Sequence, residues 1–158
     1  MERKEIRIAY EEYASVEEMT VYDRELCVAA VSALEGSYAP YSHFHVGAAV
    51  RLSDGTIVKG ANQENAAFPS GLCAERTAMF SAGANYPGLD MAGIAVVARQ
   101  DGRICSEPVA PCGACRQVMI QYQRKAGKHM SVILIGANRI MKFARVDDIL
   151  PLLFDNLR

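Results

Sequence analysis

One hundred and fifty-eight residues, 51% of them hydrophobic, supply enough apolar side chain for one well-buried core and too little for two, so the chain reads as one domain. With 17 basic against 18 acidic residues the net charge is −1, which excludes an electrostatic footprint for a phosphate backbone or an anionic membrane and suits small neutral substrates. No stretch has the length of a membrane span or a signal-peptide core, and the odd count of five cysteines points to free thiols in a reducing compartment, so a cytoplasmic protein without disulfides is expected.

Residues 4–13 alternate loosely, with Ile6, Ile8 and Tyr10 on one side, and predict an edge strand or ordered arm; residues 1–19 are read as an N-terminal arm ahead of a main domain over 20–158. Ser15 followed by Glu18 reads as a capping box and Thr20 as a second candidate cap, before a helix over 20–34 that uses Leu26, Ala30, Val31 and Leu34. Cys27, inside that helix, is read as a small buried hydrophobe. Gly36 and Pro40 punctuate a loop over 35–42. The period then changes: Phe44, Val46, Ala48 and Val50 alternate, Ser53-Asp54-Gly55 turns the chain, and an extended run to Ala61 completes a β-hairpin.

A polar loop over 62–71 delivers the chain to Cys73, where a helix over 73–84 begins, ended by Gly83, Asn85, Pro87 and Gly88. Residues 92–98 are a continuous apolar strand of the kind buried on both faces. Asp101-Gly102 marks a turn in the connection 100–110, where Cys105 is read as packing rather than as a metal ligand. A helix over 111–126 closes at Gly127, strands follow over 131–135 and 140–143, and a short helix over 147–154 is strained by Pro151. This order implies an α/β fold, a single-domain three-layer α/β/α sandwich with a mixed sheet of about five strands.

Cys112 and Cys115, three apart at a predicted helix start, can reach one Zn²⁺, and Cys73 adds a third thiolate while leaving a fourth tetrahedral position open, the layout of a catalytic rather than a closed structural site. Taken alone, a Cys-x-x-Cys is also a redox pair or half of a structural zinc site. Glu75, alone, is an acidic residue favourably placed in a first helical turn. Beside an open zinc position it becomes a candidate general acid/base, able to take a proton from water and return it to a leaving amine. Arg76 and Arg116 stand near enough to hydrogen bond the sulfurs and offset their charge, the alternative being surface charge. His43 and His45 flank Phe44 at strand spacing and are read as surface or pocket-rim residues rather than ligands.

The runs Tyr38-Ala39-Pro40-Tyr41-Ser42-His43-Phe44-His45-Val46-Gly47-Ala48-Ala49, Asn62-Gln63-Glu64-Asn65-Ala66, Gly71-Leu72-Cys73-Ala74-Glu75-Arg76-Thr77-Ala78 and Pro111-Cys112-Gly113-Ala114-Cys115-Arg116-Gln117 together resemble the small, three-cysteine, homotetrameric cytidine deaminases. The resemblance spans residues 38–154. It implies one zinc ion per subunit on Cys73, Cys112 and Cys115, with Glu75 as the proton shuttle. It further implies a ribose-binding pair at Asn62 and Glu64, a base-stacking ring at Phe44, and cytosine recognition by the main chain around Ala74 and Cys112. The implied reaction converts cytidine or 2′-deoxycytidine to the uridine form plus ammonia, a step of pyrimidine salvage on a free nucleoside, with no nucleic acid or membrane partner. In the resembling family an aromatic at the position of Phe154 completes a neighbouring subunit's site, so a homotetramer is expected. Phe68, where many relatives carry tyrosine, and Ala110, where they often carry serine, depart from the pattern and touch specificity and subunit contacts rather than the reaction. The rival readings are an editing deaminase of nucleic acid, which needs basic clusters and stacking aromatics along a strand path, a deaminase of a cytosine-bearing antibiotic, and a non-catalytic zinc module.

Overall fold

A computed structural model describes residues 1–155. In chain order the regular elements are β1 (Glu11–Tyr13), α1 (Val21–Ala33), β2 (Phe44–Leu52), β3 (Ile57–Ala61), α2 (Ala74–Asn85), β4 (Met91–Gln100), β5 (Arg103–Ile104), α3 (Gly113–Ala126), β6 (Ser131–Ile135) and β7 (Ile140–Phe143). The sheet runs β1-β7-β6-β4-β2-β3, with β5 paired to β4. All pairings are antiparallel except β4 with β6, whose crossover carries α3. Among the described residues the expected mixed sheet is therefore present with seven strands rather than about five. The additional two are the shortest: of the edge strand or arm expected over 4–13 only Glu11–Tyr13 pairs, as β1 on the free edge of β7, while Ile6, Ile8 and Tyr10 stay exposed outside it, and β5 folds back on β4 through Asp101 and Gly102, both at positive φ.

Both faces of the central strands are apolar, and period-two alternation divides them. Val50, Ile94, Val96, Val132 and Leu134 pack with Met79 of α2 and with Met119 and Ile120 of α3, whereas Ala49, Ala95, Val97 and Ile133 pack with Leu26 and Ala30 of α1. That gives one helix on one face and two on the other, the three-layer arrangement. Among the described residues no helix is long and apolar enough to cross a membrane.

The helix ends follow local chemistry. Thr20, not Ser15, caps α1: its hydroxyl oxygen accepts the Asp23 N–H at 3.1 Å. Ser15 makes no side-chain cap, and Glu18 accepts instead from the Ala14 N–H at 2.9 Å ahead of a single 3₁₀ turn, Val16–Glu18. Gly127 closes α3 in the left-handed region, at φ 63°. Gly83 does not end α2, which continues to Asn85; an added Cβ there would meet the Tyr122 hydroxyl at 2.4 Å, so its role is close helix packing. The helix expected over 147–154 is absent: only Val146–Asp148 turns, as 3₁₀. One α-type bond, Leu150 N–H to the Val146 carbonyl at 3.0 Å, begins a helix that Pro151 cannot continue, having no N–H to donate.

Two glycines set how closely helices approach the hairpin. A Cβ on Gly47 would stand 2.4 Å from the Ala30 carbonyl of α1, and one on Gly60 would stand 2.3 Å from the Ala78 nitrogen and 2.7 Å from the Ala74 carbonyl of α2. These obstacles are main chain, so they yield only if the helix moves. Gly60→Ala is therefore expected to displace the N-terminal turn of α2 and cost about 1–3 kcal/mol in urea unfolding. Gly88→Ala, with open space around the added methyl, is the control expected to leave stability unchanged.

Candidate metal centre and active site

Cys73 and Cys112 occupy equivalent positions, each in extended conformation as the N-cap of a helix, α2 and α3 respectively. Neither caps with its own side chain, so both sulfurs are free to face the gap between the helix starts. Cys115, one turn into α3, completes a cluster whose three sulfur atoms lie within 4.8 Å of one another. Cys73 Sγ is 3.9 Å from Cys112 Sγ, which is 3.5 Å from Cys115 Sγ. Sulfurs tetrahedrally arranged around zinc at ~2.3 Å stand roughly 3.8 Å apart, so the donor set fits that ion with one position left over. All five cysteines of the chain are free.

The charge around the cluster is arranged for thiolate. Two helix N-termini converge on it, and their unpaired N–H groups and positive dipole ends favour negative sulfur. The Cys73 thiol is lowered to about 5, chiefly because Cys115 hydrogen bonds to it, against an opposing cost of burial and with help from the Arg76 guanidinium. Cys115 moves the opposite way, raised by that same bond and by full burial. Cys27 is pushed up to about 12 by burial and packs near Met19, the hydrophobic role expected of it.

Glu75, the second residue of α2, is 5% exposed. Desolvation raises its carboxyl above the ordinary glutamate value, and the neighbouring Cys73 charge raises it further, while its own main-chain N–H, Cys115 and Arg76 pull it down. Arg76 sits as expected beside the sulfurs: Nη2 donates to Cys73 Sγ at 3.5 Å, and its buried Nε has no partner. Arg116 does not. Its Nε donates to the Pro111 carbonyl at 2.7 Å and Nη1 to the Ile149 carbonyl at 2.8 Å, so the expected bond to sulfur is replaced by a clamp between the start of α3 and the segment after β7. The physical reason is reach: the carbonyls left unpaired at the 3₁₀ turn and before the helix offer better acceptors than a thiol.

A cavity of about 730 Å³ opens beside the cluster, lined by Asn62, Glu64, Cys73 and Arg76 with Tyr41 and Phe68 at its margin. Asn62 follows the last residue of β3 and is locked by Val46, Phe44 and Ser37. The Glu64 carboxylate accepts from the Tyr41 and Ser42 N–H groups at 2.9 and 3.2 Å and from the Ser42 hydroxyl, which hold its pKa below the usual carboxylate range, the hydroxyl most. Phe44 is half-buried at the start of β2, and Ala74 is fully buried between Cys73 and Glu75. Phe154 is not part of this cavity. It is 62% exposed, its main chain pairs with the Gln117 side chain, and it lines a separate hollow along α3 with Ile120, Gln121, Arg124 and Asp155. Ser37, Ser42 and His45 carry contacts that sequence reading did not assign; their only signal was a place in the loop and strand start before a polar Asn-x-Glu.

A sandwich with three thiols and a buried carboxyl at the starts of two adjacent helices is the arrangement of a hydrolytic deaminase, its thiols fitting a zinc site. Residues 21–130 match the model of the cytidine and deoxycytidylate deaminase zinc-binding region. A cytidine deaminase of Halalkalibacterium halodurans is 48% identical over 100 residues, which are 63% of this chain and 71% of that protein. The crystal structure of cytidine deaminase from Burkholderia pseudomallei superposes with a TM-score of 0.71 at 41% identity, covering 86% of this chain and all of that one. The cytidine deaminase structure from Mycobacterium tuberculosis does so with 0.67 at 32% identity, covering 86% and 99%. The chain belongs to the cytidine and deoxycytidylate deaminase family, whose matched region is a zinc-binding one.

Metal removal gives a direct check on the thiols. In the metal-free protein under reducing conditions, iodoacetamide is expected to modify Cys73 rapidly at pH 7, the rate falling only as pH drops through about 5, because the lowered pKa keeps the thiolate down to that point. Cys27 should remain unmodified at pH 7. Peptide mapping of the alkylated cysteines measures both, and a Cys73 rate that falls below pH 9 would show an ordinary thiol.

Proposed function

We propose that the protein catalyses hydrolytic deamination of cytidine and 2′-deoxycytidine to uridine and 2′-deoxyuridine with release of ammonia, holding one zinc ion per chain on Cys73, Cys112 and Cys115. The observation that carries this reading is the three-sulfur cluster, one ligand short of a tetrahedral set, with the buried carboxyl of Glu75 in the same helical turn as Cys73. Zinc so bound is a Lewis acid that makes water nucleophilic at neutral pH.

Glu75 does the proton transfers. As water adds to C4 of the cytosine ring, its carboxylate takes the water proton and passes it to N3. It then takes the proton of the new C4 hydroxyl and gives it to the amino group, so that the C4–N bond breaks to ammonia and C4 becomes the carbonyl of uracil. Burial raises the proton affinity of that carboxyl above the ordinary glutamate value, the direction that suits a group that must hold a proton between taking it and passing it on. On the sugar side, Asn62 and Glu64 hold the 3′-hydroxyl region, leaving the 2′ position undemanding, which accounts for acceptance of both sugars. Phe44 stacks on the base, and the main chain at Ala74 and Cys112 reads the ring. Support for this division comes from the cavity that Asn62 and Glu64 share with Cys73. Residues 1–19 act as an arm on the catalytic domain over 20–158; Arg139 ties it down through Glu12 at 2.8 Å.

The active form in this reading is a homotetramer with each site completed by a neighbour, working on free nucleoside for pyrimidine salvage in the cytoplasm. Phe68, 90% exposed at the cavity margin, and Phe154, 62% exposed and away from its own site, are large apolar rings placed for such contacts. Cysteines held as zinc ligands or thiols, none of the five in a disulfide, suit a reducing compartment.

Glu75→Gln is expected to keep zinc and to bind cytidine while losing ~10²–10⁴-fold or more in kcat, the usual contribution of a positioned acid/base. Near-normal turnover in a variant with full metal content would remove Glu75 from the reaction. Phe154→Ala should raise KM for cytidine with zinc content unchanged, and activity per chain should decline on dilution through the dissociation range seen by light scattering. A monomer that is fully active at its assay concentration would overturn the shared site.

A further inference from the structure

Asn62 has one amide oxygen and two N–H groups to satisfy, and its neighbours determine which faces where. The Val46 main-chain N–H, which can only donate, meets Asn62 Oδ1 at 2.8 Å, and the Phe44 carbonyl, which can only accept, meets Nδ2 at 2.8 Å. These two contacts settle the amide orientation. Ser37 Oγ lies 2.5 Å from the same Oδ1, and since an amide oxygen only accepts, the serine hydroxyl donates. A hydroxyl has one proton. The 2.9 Å contact between Ser37 Oγ and His45 Nδ1 must then be made with the histidine as donor.

We propose that Ser37 and His45 are positioning residues for Asn62, forming a chain of fixed polarity from His45 Nδ1–H to the Ser37 hydroxyl to Asn62 Oδ1. Ser37 and the Val46 N–H together occupy the amide oxygen, the Phe44 carbonyl takes one Nδ2–H, and the other Nδ2–H is left as the one side-chain polar group that Asn62 offers the cavity it lines. The site at that point is selective for an acceptor, as a sugar hydroxyl or ether oxygen provides, a step that rests on the proposed nucleoside reading. Glu64, whose carboxylate accepts from Ser42 and Tyr41, supplies the opposite character next to it, so a hydroxyl that both accepts from Asn62 and donates to Glu64 is the ligand group that satisfies the pair. Ser37 follows the 3₁₀ turn Leu34–Gly36 after α1, and His45 lies in β2 opposite Arg99 of β4, so the chain also couples this selectivity to the packing of α1 on the sheet.

The test has a spectroscopic arm and a kinetic arm. In the ¹⁵N-labelled protein the neutral His45 ring, assigned by its loss in His45→Ala, is expected to carry its proton on Nδ1. A neutral ring protonated on Nε2 alone overturns the chain, and this result needs no nucleoside. In the kinetic arm, Ser37→Ala should raise KM for cytidine about 5- to 10-fold with kcat within about twofold, the effect of one lost hydrogen bond on substrate binding. Ser37→Thr, which keeps the hydroxyl, should restore KM. With 2′,3′-dideoxycytidine, which lacks the hydroxyl, Ser37→Ala and the unmodified enzyme should share one KM. An unchanged KM for cytidine, or an equal loss on both substrates, overturns the positioning role. If the unmodified protein neither binds nor converts cytidine, the proposed function fails by itself and the ring nitrogens still decide the hydrogen-bond chain.

Discussion

Everything at the site depends on two helices starting at the same place. α2 and α3 lie on one face of the sheet, and their N-caps, Cys73 and Cys112, come within sulfur contact. Thiols close together repel as thiolates, so such a cluster persists only where positive potential meets it. Here the two helix ends supply that potential, and Arg76 adds a full charge. The same geometry places Glu75 in the first turn behind Cys73, where the core of the protein removes it from water. One packing decision thus gathers the three sulfurs, lowers the Cys73 thiol and raises the Glu75 carboxyl together.

That packing is secured from below by the absence of side chains. Gly60 lets the main chain of α2 rest against β3, and Gly47 lets α1 rest against β2 on the opposite face. The hairpin is therefore gripped between helices, and its far end carries the second half of the cavity: Asn62, just past β3, and the Tyr41 and Ser42 amides that hold Glu64. The sulfur cluster and the Asn62 and Glu64 end of the cavity are built from different local structures, helix starts and a hairpin end, brought together by the same two close approaches.

Arg116 shows how a residue in the right place by sequence acquires a different task in space. Adjacent to Cys115, it was a natural candidate to neutralise sulfur. Its guanidinium instead joins the Pro111 and Ile149 carbonyls, holding the post-β7 segment against the start of α3. It supports the cluster mechanically, by fixing the helix that bears two of its thiols, rather than through charge on the sulfur.

The five main strands and three helices were legible from the sequence because each carries a single clear period: alternation in Phe44, Val46, Ala48 and Val50, unbroken apolar runs in β4 and β6, caps at Thr20 and Gly127. Cys112 with Cys115, and Cys73 with Glu75, were each legible as a short spacing at a helix start, since metal chemistry restricts residue type and spacing, and the family resemblance joined the two stretches into one site. What only the tertiary structure decided were contacts between segments distant in sequence. β5, two residues long, and the restriction of the expected edge strand to Glu11–Tyr13 follow from which neighbouring edge is available to pair with. The failed helix after Asp148 shows an apolar pattern overruled by Pro151, and Arg116, Ser37 and His45 take roles set by acceptors up to 33 residues away. Periodicity and ligand spacing are properties of a short stretch of chain; hydrogen-bond polarity and charge compensation belong to whichever groups the folded chain brings within reach.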